Sequence, residues 1–530
     1  MTKKFMRALA PALALSLALG MTACGSKTEE TKAAETTAAQ ETAAEAATEE
    51  AKAEESTSSK DTLVIATANE TPSMTTNMHN AVAGDYMNKL THNGLFLLDE
   101  NMEVQPDLVE SYETVSDTEW VFKLRQGVKF HNGTEMTAKD VKASLDQAKE
   151  SPEVAQYGNS YTSVEIVDDY TIKILTDGPQ SALLNDLTSH GNFILPADLI
   201  ESGHDFNKEP IGTGPYVLKA WNKGESVEFE AFADYFKGEA LIKNVIWKII
   251  PEGSSRTMAL EAGEVDMIIE VETTDVTRLK DNADITVFDE AGTGYNFMMI
   301  NNEVAPFDNV NFRRAVSAAI DRDAIIQVAL NGGGSPAYAL VPDCFPGATD
   351  EGAPTFDPEQ AKAYFAESGL NAADCGFSLI CSDDTKLRAG QVIQSCLKET
   401  LGVEVALESM DLATYLDKTA TGDYQAAIGG YTTDTMMSFA KGVFHSDAIN
   451  SSNKTRTNDP EVDAIIDKML TTVDVEENTA LATEFSKMMN ERCPQVPLYL
   501  KNNTRAYNAQ LDGFNCGASG GTFYEKISWK

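Results

Sequence analysis

From residue 61 to the C-terminus, apolar and polar residues follow two recurring patterns. Short runs with alternating or continuous apolar positions and many β-branched residues predict strands. Longer runs that begin at a capping residue and end near a glycine predict helices. The predicted strands are Asp61–Ala68, Trp120–Arg125, Tyr170–Leu175, Ser226–Phe232, Val245–Ile250 and Val265–Ile269.

The helix starts carry local capping signals. Thr137 and Asp140 form a capping box for a helix that continues to about Lys149. The pairs Asp357-Pro358 and Asp459-Pro460 place an N-cap residue before a proline that suits the first helical turn. Strands and helices alternate, which indicates an α/β fold with mixed sheets. Further helices are predicted at Ser254–Ala262, from Asn309 or Asn311 to Ala319, from Asp321 onward, and from Asp357 to Gly369.

The first residues follow a different pattern. Lys3, Lys4 and Arg7 precede an apolar run that ends in small residues before Cys24. A basic start, a short apolar segment and a small-residue cleavage site predict a signal peptide over residues 1–23. The stretch Leu-Gly-Met-Thr-Ala-Cys that ends at Cys24 resembles a bacterial lipoprotein signal, in which this thiol carries lipid. The alternative is an ordinary signal peptide with a chance cysteine.

The segment that follows Cys24 is predicted to be a disordered tether. Residues 25–60 are mostly Ala, Thr, Glu, Ser and Lys, with no aromatic residue and no Val, Ile, Leu or Met. Such a segment cannot bury enough apolar area to offset chain ordering, although Thr37–Ala53 could be transiently helical. A lipid on Cys24 and this tether predict a protein held on the outer face of the cell membrane, in contact with the membrane only through its anchor.

Length and charge restrict what the rest of the chain does. The body from residue 61 to residue 530 is too long for one core, so two or three lobes are expected. The net charge of -40 excludes a nucleic-acid-binding role, because a phosphate backbone requires a basic face. No apolar run after the signal peptide reaches transmembrane length.

The cysteines leave two readings open. Six of the seven lie in the last third of the chain: Cys344, Cys375, Cys381, Cys396, Cys493 and Cys516. An even number in an exported protein permits three disulfides of unknown pairing, and free buried thiols are the alternative. No C-x-x-C and no Cys/His pair with zinc-finger spacing is present, so no metal site is predicted.

One stretch of the sequence matches a catalytic motif. Residues Gly517–Gly521 fit the G-x-S-x-G pattern of a nucleophile elbow. The acid and the histidine of such a triad follow the serine in the chain, whereas the last histidine here is His445. This stretch is therefore predicted to be a flexible loop without hydrolase activity, and neither an enzymatic function nor a cofactor is predicted for the chain.

Several stretches, taken in order, resemble the family 5 extracellular solute-binding proteins of ABC importers, the group of dipeptide, oligopeptide and nickel binders. The glycines of one stretch, Gly212 and Gly214, are expected to adopt a turn geometry that a side chain would forbid. The matching stretches are Val104–Tyr112, Leu124–Gly133, Met136–Val141, Pro210–Tyr216, Leu260–Asp266, Phe312–Arg322, Asp357–Lys362, Asn458–Asp463 and Pro497–Tyr499.

The resemblance implies a periplasmic-binding-protein-like clamshell of type II character, with two α/β lobes and an additional third domain. Carried over, domain I comprises residues 61–95, 210–292 and 500–530, domain II residues 96–209, and domain III residues 293–499. The ligand is expected between domains I and III, which close around it.

The resemblance also implies a function: a monomer that captures di- or oligopeptides and delivers them to a permease and its ATPase. Gly430–Asp434 is similar to the family's G-W-x-x-D stretch, whose aspartate pairs with the peptide ammonium. Alternatives on the same scaffold are a nickel complex, haem or another small solute, or a role as a surface sensor or chaperone. The residues expected to line the cleft with Asp434 are Tyr431, Gly430, Thr433, Glu70, Tyr295, Asn296 and His445.

Overall fold

Residues 60–530 are described by the structure, a computed structural model. The predicted signal peptide, the lipidation of Cys24 and the tether up to residue 59 lie outside these residues. Within the described part of the chain, no helix has both the length and the apolar character needed to cross a bilayer.

The helices and strands alternate along the chain as the sequence predicts. The helices are α1 (Val82–Thr91), α2 (Ala138–Glu150), α3 (Leu183–Asp186), α4 (Ala197–Ser202), α5 (Gly253–Glu261), α6 (Thr273–Lys280), α7 (Val310–Ala319), α8 (Arg322–Leu330), α9 (Pro358–Ser368), α10 (Asp384–Leu401), α11 (Leu412–Thr421), α12 (Met436–Phe444), α13 (Pro460–Thr471) and α14 (Val475–Arg492). The strands are β1 (Thr62–Thr67), β2 (Phe96–Leu98), β3 (Val104–Pro106), β4 (Val109–Ser116), β5 (Glu119–Leu124), β6 (Ser163–Asp168), β7 (Thr171–Leu175), β8 (Tyr216–Asn222), β9 (Ser226–Ala231), β10 (Asn244–Ile249), β11 (Met267–Ile269), β12 (Ile285–Ile300), β13 (Gly334–Pro336), β14 (Phe377–Cys381), β15 (Val405–Ser409), β16 (Ala426–Tyr431), β17 (Gln495–Asn508), β18 (Leu511–Asp512) and β19 (Ser528–Trp529).

One long mixed sheet and one smaller four-stranded sheet contain most of these strands, and β2-β3 and β18-β19 form two-stranded sheets. The long sheet has the order β15-β14-β16-β12-β17-β11-β1-β10-β9-β8, and β13 pairs with β17 beside this path. Strand β1 is parallel to β10 and β11, and β14 is parallel to β15 and β16. The smaller sheet is antiparallel, with the order β4-β5-β7-β6. The mixed α/β character predicted from the sequence is therefore confirmed.

Two long strands cross the middle of the large sheet. β12 and β17 pair antiparallel from Ile285 opposite Asn508 to Met299 opposite Gln495. Their register shifts between Ala291 and Tyr295, and irregularities of this kind bend a strand locally. The predicted domain limits at 292/293 and 499/500 fall within these two strands, and the domain boundaries themselves remain a prediction.

Each part of the molecule has its own apolar core. Trp247 and Phe229 are buried beside β1, β9 and β10, whereas Trp120 and Phe122 are buried within the smaller sheet. A third core, which includes Phe312, packs α7–α10 against the other half of the long sheet. Full burial of one such aromatic side chain contributes about 1.5–3 kcal/mol. These clusters of buried residues are distinct from one another.

The predicted caps are present in the structure. The Thr137 backbone N–H donates to the Asp140 carboxylate over 2.8 Å, which completes the capping box of α2. Asn309, not Asn311, caps α7, and its side chain accepts from the backbone N–H of Phe312. The carboxylates of Asp357 and Asp459 likewise cap α9 and α13.

The most recognisable motifs support the scaffold. His131 Nε2 lies 3.0 Å from the carbonyl oxygen of Gly214, so a hydrogen bond joins the stretches around these two residues. Arg322 is fully buried, and its guanidinium donates to the carbonyl oxygens of Ser317 and Ile320. These side chains fix loops and helix ends within the cores.

Gly212 and Gly214 are required for a different reason from the predicted one. Neither residue has φ in the left-handed region. Instead, a Cβ atom on Gly214 would lie 2.4 Å from the carbonyl carbon of Thr91 and 2.5 Å from the backbone nitrogen of His92. The chain at Gly214 therefore passes too close to the end of α1 for any side chain at this position.

The six cysteines of the described residues are free thiols, which decides between the two readings left open by the sequence. Cys375, Cys381, Cys493 and Cys516 are buried. Burial raises the pKa of the Cys493 thiol to about 11, so the reactive thiolate is scarce at neutral pH.

We expect the substitution Gly214→Ala to lower the free energy of unfolding by at least about 1–3 kcal/mol, because the new methyl group overlaps backbone atoms that cannot move independently. Urea denaturation followed by circular dichroism measures this change. The control is Gly376→Ala, since a Cβ at that exposed glycine meets its nearest neighbour, the Glu404 carbonyl oxygen, at an ordinary 3.4 Å. Equal stability of the two variants would contradict the steric argument.

Candidate functional site

Four of the predicted cleft residues meet in one ladder. β12 pairs with β16, which places Tyr295 opposite Tyr431 and Asn296 opposite Gly430. A Cβ on Gly430 would lie 2.8 Å from the Tyr295 carbonyl oxygen and 2.9 Å from Asn296 Oδ1. A glycine at 430 therefore allows the two strands to approach at this point.

The side chains of the three residues other than Gly430 contact other parts of the protein. Tyr295 is 1% exposed, and its hydroxyl donates to the Ala339 carbonyl oxygen over 2.7 Å. Burial raises the pKa of Tyr295 well above its usual value. The Tyr431 ring packs edge-on against Phe439 of α12 with 5.8 Å between centroids. Asn296 donates to the Gly294 carbonyl oxygen over 3.1 Å. These contacts hold the end of β16 in place.

The loop that leaves this ladder presents Asp434. It runs from Thr432 to Thr435, whose hydroxyl accepts from the Ser438 backbone N–H and so caps α12. Thr433 is half-buried in the loop, and Asp434 is exposed. Asp434 thus stands immediately before a helix N-terminus, where the helix dipole favours a negative charge.

Asp434 faces α1 across an open space. Its side chain reaches solvent, yet protein surrounds it on most sides, and this partial desolvation raises the pKa of the Asp434 carboxyl above its ordinary value. Lys89 of α1 acts in the opposite sense, and Asp85 adds to the increase. Lys89 and Asp85 form an ion pair of 2.8 Å with each other. The Asp434 carboxylate has no ion-pair partner within 4.0 Å among residues 60–530.

A cavity of about 350 Å³ opens on one side of Asp434, and we call it the apolar cavity. Apolar side chains make up just over half of its lining and come from β3–β5, α3, α12, α14 and the loops beside them. This part of the cavity suits a range of apolar groups. The residues that line it include Met102, Tyr112, Trp120, Leu184, Pro346, Asp434, Met436, Met437, Val473 and Val475.

A second cavity, of about 590 Å³, lies beside the crossing strands, and we call it the cationic cavity. The Gly292–Gly294 segment of β12, where the ladder register shifts, forms part of its wall. Val82 and Tyr86 of α1 and Thr432 of the Asp434 loop close other sides. Three cationic side chains also line it: Arg388, Lys501 and Arg505. None of the three was a predicted site residue.

Glu70 and His445 lie apart from these cavities. Glu70 accepts from Trp221 Nε1 over 2.7 Å and from the Gly224 backbone N–H over 3.1 Å. His445 is buried, and its Nδ1 accepts from the Asp447 backbone N–H over 3.1 Å. Neither residue is among those that line the apolar or the cationic cavity. Within residues 60–530, no group of three or more His, Cys, Asp or Glu side chains is placed to hold a metal ion.

The glycine-rich stretch Gly517–Gly521 forms a turn against the crossing strands. Asn503 of β17 donates to the carbonyl oxygens of Gly517 and Ala518 over 3.2 and 2.8 Å. Ala518 and Ser519 then contribute to the wall of the cationic cavity. The turn therefore belongs to the cleft.

Known proteins share sequence similarity with this chain over most of its length. The family model for bacterial extracellular solute-binding proteins, family 5 (middle region), matches residues 103–451. The glutathione-binding protein GsiB of Salmonella typhimurium is 28% identical over 445 residues, which cover 80% of this chain and 86% of GsiB. These relatives are solute-binding proteins of transporters, and the prediction that the chain is not an enzyme is confirmed.

Solved structures share the fold. The murein tripeptide-binding protein MppA, in its unliganded open form, superposes with a TM-score of 0.81 at 22% identity, over 89% of this chain and 97% of MppA. DppA from Helicobacter pylori, in complex with the peptide STSA, gives 0.63 at 23% identity, over 88% of this chain and 98% of DppA. The predicted clamshell with an extra domain is thereby confirmed. With its crossing strands, its clamshell lobes and a family match over most of its length, this chain belongs to family 5 of the bacterial extracellular solute-binding proteins of ABC importers.

Proposed function

We propose that this protein captures short peptides in the cleft in front of Asp434. The observation that carries the proposal is the Asp434 carboxylate, which stands at the border of a deep cleft without a cationic partner in contact. An unpaired carboxylate in a partly desolvated position is costly, and a peptide ammonium relieves that cost. A ligand without the amine leaves the carboxylate unpaired, so Asp434 also provides selectivity.

The two cavities receive different parts of such a ligand. With the ammonium at Asp434, the first side chain enters the apolar cavity. The peptide backbone continues past Thr432 toward the crossing strands, where the wall at Gly292–Gly294 is main chain and offers peptide hydrogen-bonding groups. Arg388 lies at the far side, is exposed, and donates over 3.0 Å to the Ala329 carbonyl oxygen with no carboxylate partner among the described residues. It suits the terminal carboxylate.

Two comparisons support this proposal. GsiB is named for glutathione, which is a tripeptide with a free ammonium and free carboxylates. DppA from Helicobacter pylori, which shares this fold, forms a complex with the peptide STSA. Ligand binding then favours closure of the lobes, and the closed form is what a permease and its ATPase would receive.

The same proposal includes the N-terminal segment. A lipid on Cys24 and the tether behind it would keep a monomeric binding protein at the outer face of the membrane, close to its permease. Mass spectrometry of the membrane-extracted protein tests for the lipid on Cys24.

We expect Asp434→Asn to weaken binding of Ala-Ala-Ala by about 2–5 kcal/mol, because the variant removes the charge that pairs with a desolvated ammonium. Isothermal titration calorimetry measures the change. The matched control is Asp177→Asn, an equal charge change at an exposed turn. N-acetyl-Ala-Ala-Ala, which lacks the ammonium, should bind weakly to the wild type and lose little more in the variant. Unchanged affinity of the variant for the free peptide would remove Asp434 from the site.

Peptide affinity should also depend on pH through the same group. Because the pKa of Asp434 is raised, protonation of its carboxyl competes with the ligand at a higher pH than for an ordinary aspartate. Affinity should be constant between the pKa of Asp434 and the peptide amine pKa of about 8. Below the pKa of Asp434, it should fall by about tenfold per pH unit. Titrations from pH 7 to pH 3.5 compare the wild type with Asp434→Asn. A parallel decrease in both proteins would contradict the assignment.

A further inference from the structure

We infer that the cationic cavity selects peptides that carry a side-chain carboxylate in addition to the terminal one, and that Arg505 with Lys501 receives it. This inference rests on the proposed function and specifies its substrate class. It starts from the charges in the cavity. The chain has 42 Lys and Arg against 82 Asp and Glu, yet three cations line this one cavity.

Arg505 is the strongest element of the inference. Its side chain lies in β17 at the cavity wall, and the residue is only 4% exposed. The guanidinium donates to Tyr86 Oη over 3.0 Å and to the Thr504 carbonyl oxygen over 3.2 Å. A guanidinium has five N–H donors. No carboxylate within residues 60–530 forms an ion pair with Arg505.

The wall around Arg505 leaves this charge uncompensated. Lys501 is exposed in the same cavity and likewise has no ion pair among residues 60–530. Glu270 is the acidic residue among those that line the cavity, and it is exposed and forms no ion pair with either cation. By contrast, nearby Lys89 is already paired with Asp85. A buried cation without a counter-charge is destabilising, and a ligand carboxylate removes that penalty.

The geometry of the surrounding residues favours a carboxylate. The Tyr86 ring lies under the guanidinium with 5.8 Å from its carbon to the ring centroid, which fixes the plane of the fork. A Cβ on Gly520 would lie 3.5 Å from Arg505 Nη2. The nearest atom to that Cβ is Tyr86 Oη at 3.0 Å, so a glycine at 520 leaves the space beside the Tyr86–Arg505 pair free of a side chain. A planar fork that is held in this way binds a carboxylate with two parallel hydrogen bonds.

The test compares acidic peptides with their uncharged amides. Calorimetry measures Ala-Glu-Ala against Ala-Gln-Ala, and Ala-Ala-Glu against Ala-Ala-Gln, on the full-length protein. We expect at least one acidic peptide to bind about tenfold to a hundredfold more tightly than its amide partner. The preference should decrease as NaCl is raised from low to physiological concentration.

Variants then assign the preference to its residues. Arg505→Gln should abolish it, Arg505→Lys should retain part of it, and Lys501→Gln should reduce it. Lys441→Gln is the matched control, because Lys441 is exposed and does not line the cavity. Thermal unfolding identifies a variant that fails to fold, in which case the exposed Lys501 and the charge-retaining Arg505→Lys carry the test.

The outcomes separate this inference from the proposed function. If neutral and acidic peptides bind equally to the wild type, or if the acidic preference persists in the Arg505→Gln and Lys501→Gln variants, the inference is wrong while peptide capture stands. If no peptide of the panel binds, the proposed function fails, and the inference fails with it.

Discussion

The pairing of β12 with β17 is the interaction on which the rest of this molecule depends. These strands belong to both halves of the long sheet, so each half is anchored to the same two segments of chain. The opposite edge of β12 pairs with β16, which sets the position of the Asp434 loop. The irregularity near Gly292–Gly294 occurs where this ladder would otherwise be continuous. That break opens the wall of the cationic cavity and gives the sheet a place to bend.

The cleft has a polarity that the whole chain does not share. At one border lies Asp434, an anionic group before a helix N-terminus. At the cationic cavity lie Arg388 of α10 and Lys501 and Arg505 of β17. The charged neighbours on α1 already neutralise each other through Asp85 and Lys89. Under the proposed function, a ligand of matching polarity has one favoured direction in the cleft. The net charge of -40 gives no such direction, because it is a property of the whole chain.

Local features were predictable from the sequence, and features that depend on strand register were not. The caps at Thr137, Asp357 and Asp459 depend on residues a few positions apart, so sequence patterns identify them. Tyr295, Asn296, Gly430 and Tyr431 are neighbours in the pairing of β12 with β16, and their role in a ligand site remains a prediction. Arg505 and Lys501 carry no local signature, since their positions follow from the long ladder with β12. Glu70 and His445 lie near predicted cleft segments in sequence, but contacts with Trp221 and Asp447 direct them elsewhere. The need for Gly214 arises from α1, more than a hundred residues away.

The free thiols have a consequence for how this protein reaches its native state. Because no crosslink holds residues 60–530 together, the folded body owes its stability to its separate cores and to the shared sheet. Folding after export then requires neither an oxidant nor an isomerase to select among pairings of six cysteines. The same body should form equally well in reducing and oxidising surroundings, and an organism that lives without oxygen can make it without a dedicated thiol-oxidising pathway.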